Sequence, residues 1–566
     1  MQRHYKYWPK RVPHRITIPA TSAWFNLKTS AARYPDKTAI SFLGRKTTYQ
    51  ELAERVDALA GALHAFGVER GDRVLLDMQN TPQLIIAHFA ILRANAVVVP
   101  VNPMNRGEEL RHYIVDSDAR VALTTGELAA ELARVSNTLP EAQRLRHLVV
   151  TQYTDAFDAD MPGPEAPGPQ WQEWLATRHP LPSLDGGNVT AWTDALAAGH
   201  RPPEHVVAAN DMALLPYTSG TTGMPKGCIH NHSALVHNAA ASALWTQGHS
   251  ETVALVVVPM FHITGIVSIL HTLIYTGATM VLMPRWDREL AGRLISVHKV
   301  TAWTNIPTMV VDLLGSPNLA SFDLSSLQLM GGGGAAMPEA IAQRLEERYG
   351  LRYMEGYGLT ETAAGSHINP VDRPKRQCLG IPFVGTESRV VDPQTLAEKP
   401  VGESGEILIA GPGVCQGYWK RPDADAAAFV ELDGKRFLRT GDIGRVDEDG
   451  YFFMTDRLKR MINASGFKVW PAEVEMLMYK HPAVQEVCII GTKDAYRGES
   501  VKAVVVLRAD HPDTTAEDIT SWCRENMAAY KVPHAVEFVP SLPKTGSGKI
   551  MWRILQDKEA AATPAD

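Results

Sequence analysis

From Lys37 onward, short apolar runs alternate with segments of helical periodicity. TAISF precedes YQELAERVDALAGALHAFG, RVLLDM precedes PQLIIAHFAILRANA, and VVVPV follows. Alternation of this kind predicts βαβ units and a parallel sheet, so the fold class expected is α/β: a large N-terminal domain with parallel-rich βαβ sheets plus a small α+β C-terminal domain. The stretch from Asp155 to Glu204 breaks the rhythm with MPGPEAPGP, HPLPSLDGG and HRPP, and reads as a loop-rich surface excursion. A smaller pattern begins near Asp456, after DEDGYFFMTD. It holds EVCIIGTK, VKAVVVL, a helix with Ile519, Trp522, Cys523 and Met527 at i, i+3, i+4 and i+8, then AVEFV and a Lys/Gly-rich tail. The domains expected are therefore 1–456 and 457–566, the second about 110 residues long, enough for an independent unit.

Thr252 to Pro284 contains no Asp, Glu, Lys or Arg, so its length alone would permit a membrane span. Pro259, His262, Thr264, Gly265, His271 and Gly277 punctuate it, and it parses as strand VALVVV, loop PMFHITG, helix IVSILHTLIYTG and strand ATMVLM. Buried α/β core is the reading adopted, with no transmembrane segment.

Composition narrows the class. At about 150 residues per domain, 566 residues suggest three or four folding units. The net charge of -6 offers no general attraction to nucleic acid or anionic lipid. Five cysteines, Cys228, Cys378, Cys415, Cys488 and Cys523, are scattered without a CxxC pair, against a disulfide framework or structural zinc. No apolar stretch follows the basic N-terminus MQRHYKYWPKRVP, so a reducing cytoplasm is expected.

Candidate chemistry begins at Thr218 to Gly227, TSGTTGMPKG, just after the apolar run MALLPY. Glycines and hydroxyls before a lysine suit a polyphosphate, because backbone N–H groups, hydroxyls and one ammonium can surround its oxygens. It is not a Walker A loop, which would need Gly at Pro225 and Ser or Thr at Gly227. After SLQLM come Gly331 to Gly334, then AAMPEAIAQRLEERYG, a helix with Pro338 near its first turn and Gly350 as its stop. GGGGAA fits GxGxxG/A with Glu355 downstream, which makes a nicotinamide site one reading; a flat backbone surface for a purine ring is the other. In YGLTET, Tyr357 can cover a ring, while Thr360 and Glu361 offer a hydroxyl for phosphate and a hard carboxylate for Mg²⁺. In FLRTGD, Asp442 could accept from both hydroxyls of a ribose, and PKTGSGKI puts Lys549 on a Gly/Ser loop. Each short motif also has a plainer reading: a solvated lysine, a capped helix start, an Asx turn.

Together these pieces resemble the AMP-forming acyl-CoA synthetase family of the adenylate-forming superfamily, which also holds firefly luciferase and peptide-synthetase adenylation domains. TSGTTGMPKG, PMFHITG, GGGGAAMP, YGLTET, GEILIAGPGVCQGYW, FLRTGD, DRLKRMINASGFKVWPAEVE and PKTGSGKI occur in family order from about Thr38 to Leu555. The resemblance implies that Thr218, Ser219, Thr221, Thr222 and Lys226 handle ATP phosphates, and that Gly333, Gly334, Ala335 and Tyr357 frame adenine. Thr360 would touch the α-phosphate, Glu361 would hold Mg²⁺, and Asp442 with Arg457 would bind ribose. Lys459 matches the hinge of the C-terminal domain, Gly466 the glycine lining the thiol's path, and Lys549 the adenylation lysine. Asn463 stands where some relatives carry lysine. The implied enzyme is an acid-thiol ligase that consumes ATP, a carboxylic acid and CoA, forms an acyl-adenylate, and releases AMP and pyrophosphate.

For the acid, the resemblance places His237, Ala239, Ala240, Trp245, His262, Thr264, Gly331, Gly332, Ala363 and Ala364 around the acyl group. That set is small and apolar, without a cation for a second carboxylate or an acid for an amine. Gly331 and Gly332 are read as leaving space, which favours a medium- or long-chain fatty acid, with an aryl or alicyclic acid next. His262 stands where amino-acid-activating relatives have aspartate, and either serves the carboxylate or CoA delivery or is a packed histidine. Free CoA is the expected acceptor, a separate carrier protein the alternative, and a homodimer is compatible with the chain.

Overall fold

The computed structural model describes residues 3–157, 163–218, 224–334, 337–457, 462–464, 467–469, 471–494, 498–543, 550 and 552–562. The chain divides into two compact units: Met1–Pro103, Ile114–Tyr217 and Gly227–Asp456 form the larger, and Met104–Tyr113, Thr218–Lys226 and Arg457–Asp566 the smaller. The fold is mixed α/β with parallel-rich sheets.

In the larger unit, local signals start and stop the elements. Thr48 and Glu51 form a reciprocal capping box that opens the helix Tyr49–Ala65. Thr81 caps the helix Pro82–Arg93, whose first position is a proline with no N–H to lose. Eleven of that helix's twelve residues are buried, which explains its nearly continuous apolar sequence. Both helices share one core with strands of two large sheets, through Ile40 and Phe42 on one side and Val74, Val98, Leu123 and Val149 on the other.

The nine-stranded sheet joins six parallel strands, Thr38–Phe42, Thr279–Leu282, Val253–Val256, Ala302–Asn305, Leu329–Gly333 and Met354–Leu359, with antiparallel strands at both edges. The seven-stranded sheet is parallel around Arg73–Asp77, with a single antiparallel strand, His230–Asn231, at one edge. A smaller antiparallel sheet holds Gly405–Ala410 and the long strand Lys435–Val446. The uncharged segment is core as expected: strand Val253–Val256, a π-helical turn Thr264–His271 running into Thr272–Thr276, and strand Thr279–Leu282. Among the described residues no helix is long and apolar enough to cross a membrane.

Between Asp155 and Glu204 the structure is more ordered than the composition suggested. Helices Pro169–Ala176 and Trp192–Ala197 flank the strand Asn188–Ala191, which pairs in parallel with His147–Thr151 at the sheet edge. Its Gly/Pro content describes the connections, while the neighbouring strand supplies the hydrogen bonds that make NVTA a strand.

The smaller unit centres on a five-stranded sheet led by the antiparallel pair Val484–Asp494 and Gly498–Leu507. The helix Ala516–Asn526 buries Ile519 and Cys523, the face its periodicity predicted. Lys531 is buried in this unit, ion-paired to Glu109 at 2.5 Å and Glu473 at 2.6 Å. Unpaired burial of any one of these charges would be costly, so the three stand or fall together.

Candidate active site

The glycine run does not lie in a loop after a strand; it is the strand. Leu329–Gly333 runs in parallel register between Ala302–Asn305 and Met354–Leu359. A Cβ on Gly332 would sit 1.8 Å from the Asn305 carbonyl oxygen, one on Gly331 2.5 Å from that of Met354, and one on Gly333 2.4 Å from that of Gly356. Space at Gly331 and Gly332 is thus already filled by neighbouring backbone, which corrects the expectation that these two glycines leave room for an acyl chain. Gly334 differs: its φ is +85° and nothing lies within 4 Å of a Cβ there, so bare backbone faces open space. Ala335 lies outside the described residues.

Glu355, the acidic residue of the nicotinamide reading, is buried and accepts the Gln377 N–H at 2.8 Å; burial raises its pKa to about 7. A carboxyl committed to the backbone in that way is not presented to a ribose. The dinucleotide reading therefore lapses.

Tyr357 and Asp442 come from strands of different sheets, and the phenol donates to Asp442 Oδ2 at 2.7 Å. Tyr357 is 9% exposed and packs with Ile407, Ile409 and Phe452, so most of its ring is core and only a margin is left to touch a base. Asp442 lies within the strand Lys435–Val446 at an irregularity of its pairing, where Gly441 has φ +67° and Thr440 Oγ1 accepts the Asp442 N–H at 3.1 Å. Asp442 Oδ1 makes no hydrogen bond among the described residues.

Thr360 and Glu361 open the short turn that follows Met354–Leu359, and several groups pin it. His230 Nε2 donates to the Thr360 carbonyl at 2.7 Å, the Cys415 N–H to the Glu361 carbonyl at 2.7 Å, and Asn238 Nδ2 to the Ala363 carbonyl at 2.8 Å. Burial lowers the His230 pKa to about 4, so the ring is neutral and free to act as that donor. Tyr418 donates to Glu361 Oε1 at 2.9 Å, while Oε2 makes no hydrogen bond among the described residues. The chain leaves the turn through Ala363 and Ala364 with φ of 48° and 76°, left-handed values that cost alanine of order 1 kcal/mol each.

Other expected site residues are spread differently. Thr218 and Lys226 end the two arms of a short ribbon, Tyr217–Thr218 paired with Lys226–Gly227, and Lys226 is half-buried. Ser219, Thr221, Thr222, Lys459, Gly466 and Lys549 lie outside the described residues; Arg457 ends the strand Phe452–Arg457. His262 is exposed, its Nδ1 accepting the Thr264 N–H at 3.4 Å, which removes the packed-histidine reading. Trp245 is fully buried between Trp8 and Phe383 with its indole N–H on the Asn369 carbonyl, so it is core rather than pocket wall. Ala239 is likewise fully buried. His237 lines a small cavity of about 10 Å³ with Asn238, Thr362, Ser366 and Phe383. Sequence reasoning assigned no role to His230, Asn238 or Tyr418; Tyr418 sat inside the quoted GEILIAGPGVCQGYW, and His230 and Asn238 carried no spacing signal.

The family model described as AMP-binding enzyme matches residues 27–419, and that of the AMP-binding enzyme C-terminal domain matches 473–549. A long-chain-fatty-acid–CoA ligase of Bacillus subtilis is 35% identical over 98% of this chain and 97% of its own. A feruloyl-CoA synthase of an Amycolatopsis species is 36% identical over 91% of this chain and 95% of its own. Among solved structures, a long-chain-fatty-acid-CoA ligase from Archaeoglobus fulgidus superposes with a TM-score of 0.74 at 25% identity, covering 94% of this chain and 99% of that one.

Proposed function

The chain belongs to the AMP-binding enzyme family and is an AMP-forming acid–CoA ligase, and from that premise we propose that its acid is a medium- or long-chain fatty acid. The observation that carries the nucleotide half is the Tyr357–Asp442 hydrogen bond, which joins two motifs distant in sequence beside the exposed Gly334 backbone. The fatty-acid half rests on relatives named long-chain-fatty-acid–CoA ligase that match nearly the full chain. The feruloyl-CoA synthase relative supports a second reading, an aryl acid.

In this reading Gly333, Gly334 and Ala335 face adenine, with the margin of Tyr357 beside them. Asp442 Oδ1, with Arg457, accepts or donates to the ribose hydroxyls. Thr218, Ser219, Thr221, Thr222 and Lys226 surround the phosphates, and the Thr360 hydroxyl meets the α-phosphate. A lone carboxylate oxygen, Glu361 Oε2, suits Mg²⁺, which is commonly held by one or two carboxylates plus phosphate oxygens and water. When bound, that cation neutralises charge on the phosphates. Attack by a carboxylate on phosphorus brings anions together, so Lys549 supplies electrostatic stabilisation rather than covalent chemistry. Gly466 then leaves the path of the thiol clear, and Lys459 is the residue about which the smaller domain turns. His262, exposed, serves the acid or CoA. Five buried, unbridged thiols support a reducing, cytoplasmic setting.

The test is AMP release with CoA over straight-chain, branched and aromatic acids. Highest kcat/KM on C8 to C18 acids is expected; a preference for hydroxycinnamates selects the aryl reading, and ADP as product overturns both.

A further inference from the structure

Glu361 is the residue on which the proposed cation site turns, and among the described residues its side chain has a single hydrogen-bond partner. Tyr418 comes from the loop after Gly405–Ala410, and its phenol reaches Glu361 Oε1 at 2.9 Å. We propose that Tyr418 is a positioning residue: its hydroxyl holds Glu361 in one rotamer, so that Oε2 is the oxygen offered to the nucleotide-bound Mg²⁺. This rests on the reading of Glu361 as the Mg²⁺ residue.

Three features make Tyr418 a rigid post. Its backbone N–H donates to Asp425 Oδ1 at 2.7 Å, and the preceding Gly417 has φ +155° with the Asp425 carboxylate 2.6 Å from where a Cβ would stand. Its strand-like bridge to Cys228, extended by Trp419 N–H donating to the Gly227 carbonyl at 2.8 Å, ties the loop to the chain just after Lys226. The ring is 6% exposed, packed with Cys228, Cys415 and Ala424. A glutamate without such a restraint samples several rotamers, and a cation that selects one of them must order the side chain on binding. Outer partners that orient a metal-binding side chain typically set metal affinity within about 10- to 100-fold.

The experiment uses the full chain with a non-hydrolysable α,β-methylene analogue of ATP and Mn²⁺ as a paramagnetic probe, with bound and free Mn²⁺ separated by electron paramagnetic resonance. Tyr418→Phe, which removes only the hydroxyl, should weaken Mn²⁺ binding by about 10-fold and leave KM for the acid unchanged. Glu361→Gln should weaken it further, and the double variant should bind no worse than Glu361→Gln alone, because Tyr418 acts only through that carboxylate. Thioester formation from synthetic acyl-adenylate and CoA should survive in Tyr418→Phe. Wild-type Mn²⁺ affinity in Tyr418→Phe beside a loss in Glu361→Gln overturns the proposal, as do additive losses in the double variant. Loss of thioester formation in Tyr418→Phe would assign the hydroxyl to the fold and overturn it too. Undiminished Mn²⁺ binding in Glu361→Gln would instead overturn the underlying reading of Glu361.

Discussion

The Tyr357 phenol and the Asp442 carboxylate, 85 residues apart in the chain, meet at 2.7 Å with both side chains largely buried. The bond satisfies one carboxylate oxygen inside the protein and so orients the other. Tyr357→Phe keeps the packing with Ile407 and Phe452 but frees Asp442 to rotate. A hydrogen bond to a charged group is worth about 1.5–3 kcal/mol, so KM for ATP should rise roughly 10-fold or more, with KM for CoA unchanged. Steady-state kinetics on both substrates would show it; equal effects on ATP and CoA would mean Asp442 does not act through the nucleotide.

The glycine strand makes a second prediction, opposite in kind to one drawn from an open pocket. Adding a Cβ at Gly332 drives it into the Asn305 carbonyl, against backbone that is itself fixed by strand pairing. Gly332→Ala should lower stability by about 1–3 kcal/mol or more, the range of overpacking in a fixed core. Urea unfolding measures this. A Gly331→Trp variant should fold poorly rather than prefer shorter acids, and a well-folded variant with a shifted chain-length profile would reinstate Gly331 as a pocket residue.

Acid should destabilise this protein from pH 6.5 downward. Burial lowers the pKa of His88 and His367 to about 3 and of His230, His232 and His237 to about 4, against 6.5 in the unfolded chain. Between about pH 6.5 and 4 the unfolded state therefore binds protons that the folded state refuses, so stability falls as pH falls through that window and is fully present above it. Glu355, raised to about 7 from 4.5, works the other way: the folded state holds its proton longer, which favours folding as pH drops from 7 to 4.5. Five histidines outweigh one glutamate. Urea midpoints at pH 7.5, 6.0 and 5.0 should decrease in that order, and Glu355→Gln should steepen the decline; a flat series would contradict the neutral-histidine core.

The two half-reactions should separate by mutation. Lys549→Ala removes one electrostatic donor to the adenylation transition state and should slow pyrophosphate release by about 10²- to 10³-fold while sparing thioester formation from supplied acyl-adenylate. Gly466→Leu should do the reverse by placing a side chain in the thiol's path. Single-turnover assays of each step decide it. Equal loss of both steps in both variants would remove the case for a domain that turns between them.

The α/β class, the buried rather than membrane-spanning segment around Gly265 and the ordered nucleotide motifs were legible in the sequence because each is local. Hydrophobic period, turn residues and motif chemistry depend on neighbours a few positions away, and no distant contact is needed to read them. Tertiary structure decided what depends on meeting. Gly331 and Gly332 look like space in a sequence, yet adjacent strands bring carbonyls to within 2.5 Å and 1.8 Å of where a Cβ would be. Trp245 looks like a pocket wall at its place on the helix His232–Thr246, yet packing between Trp8 and Phe383 makes it core. The strand at Asn188–Ala191 exists because His147–Thr151 offers it hydrogen bonds. Glu361 reads as a candidate hard ligand from its residue type, whereas the phenol hydrogen-bonded to it comes from Tyr418, 57 residues further on, and only folding brings the two together.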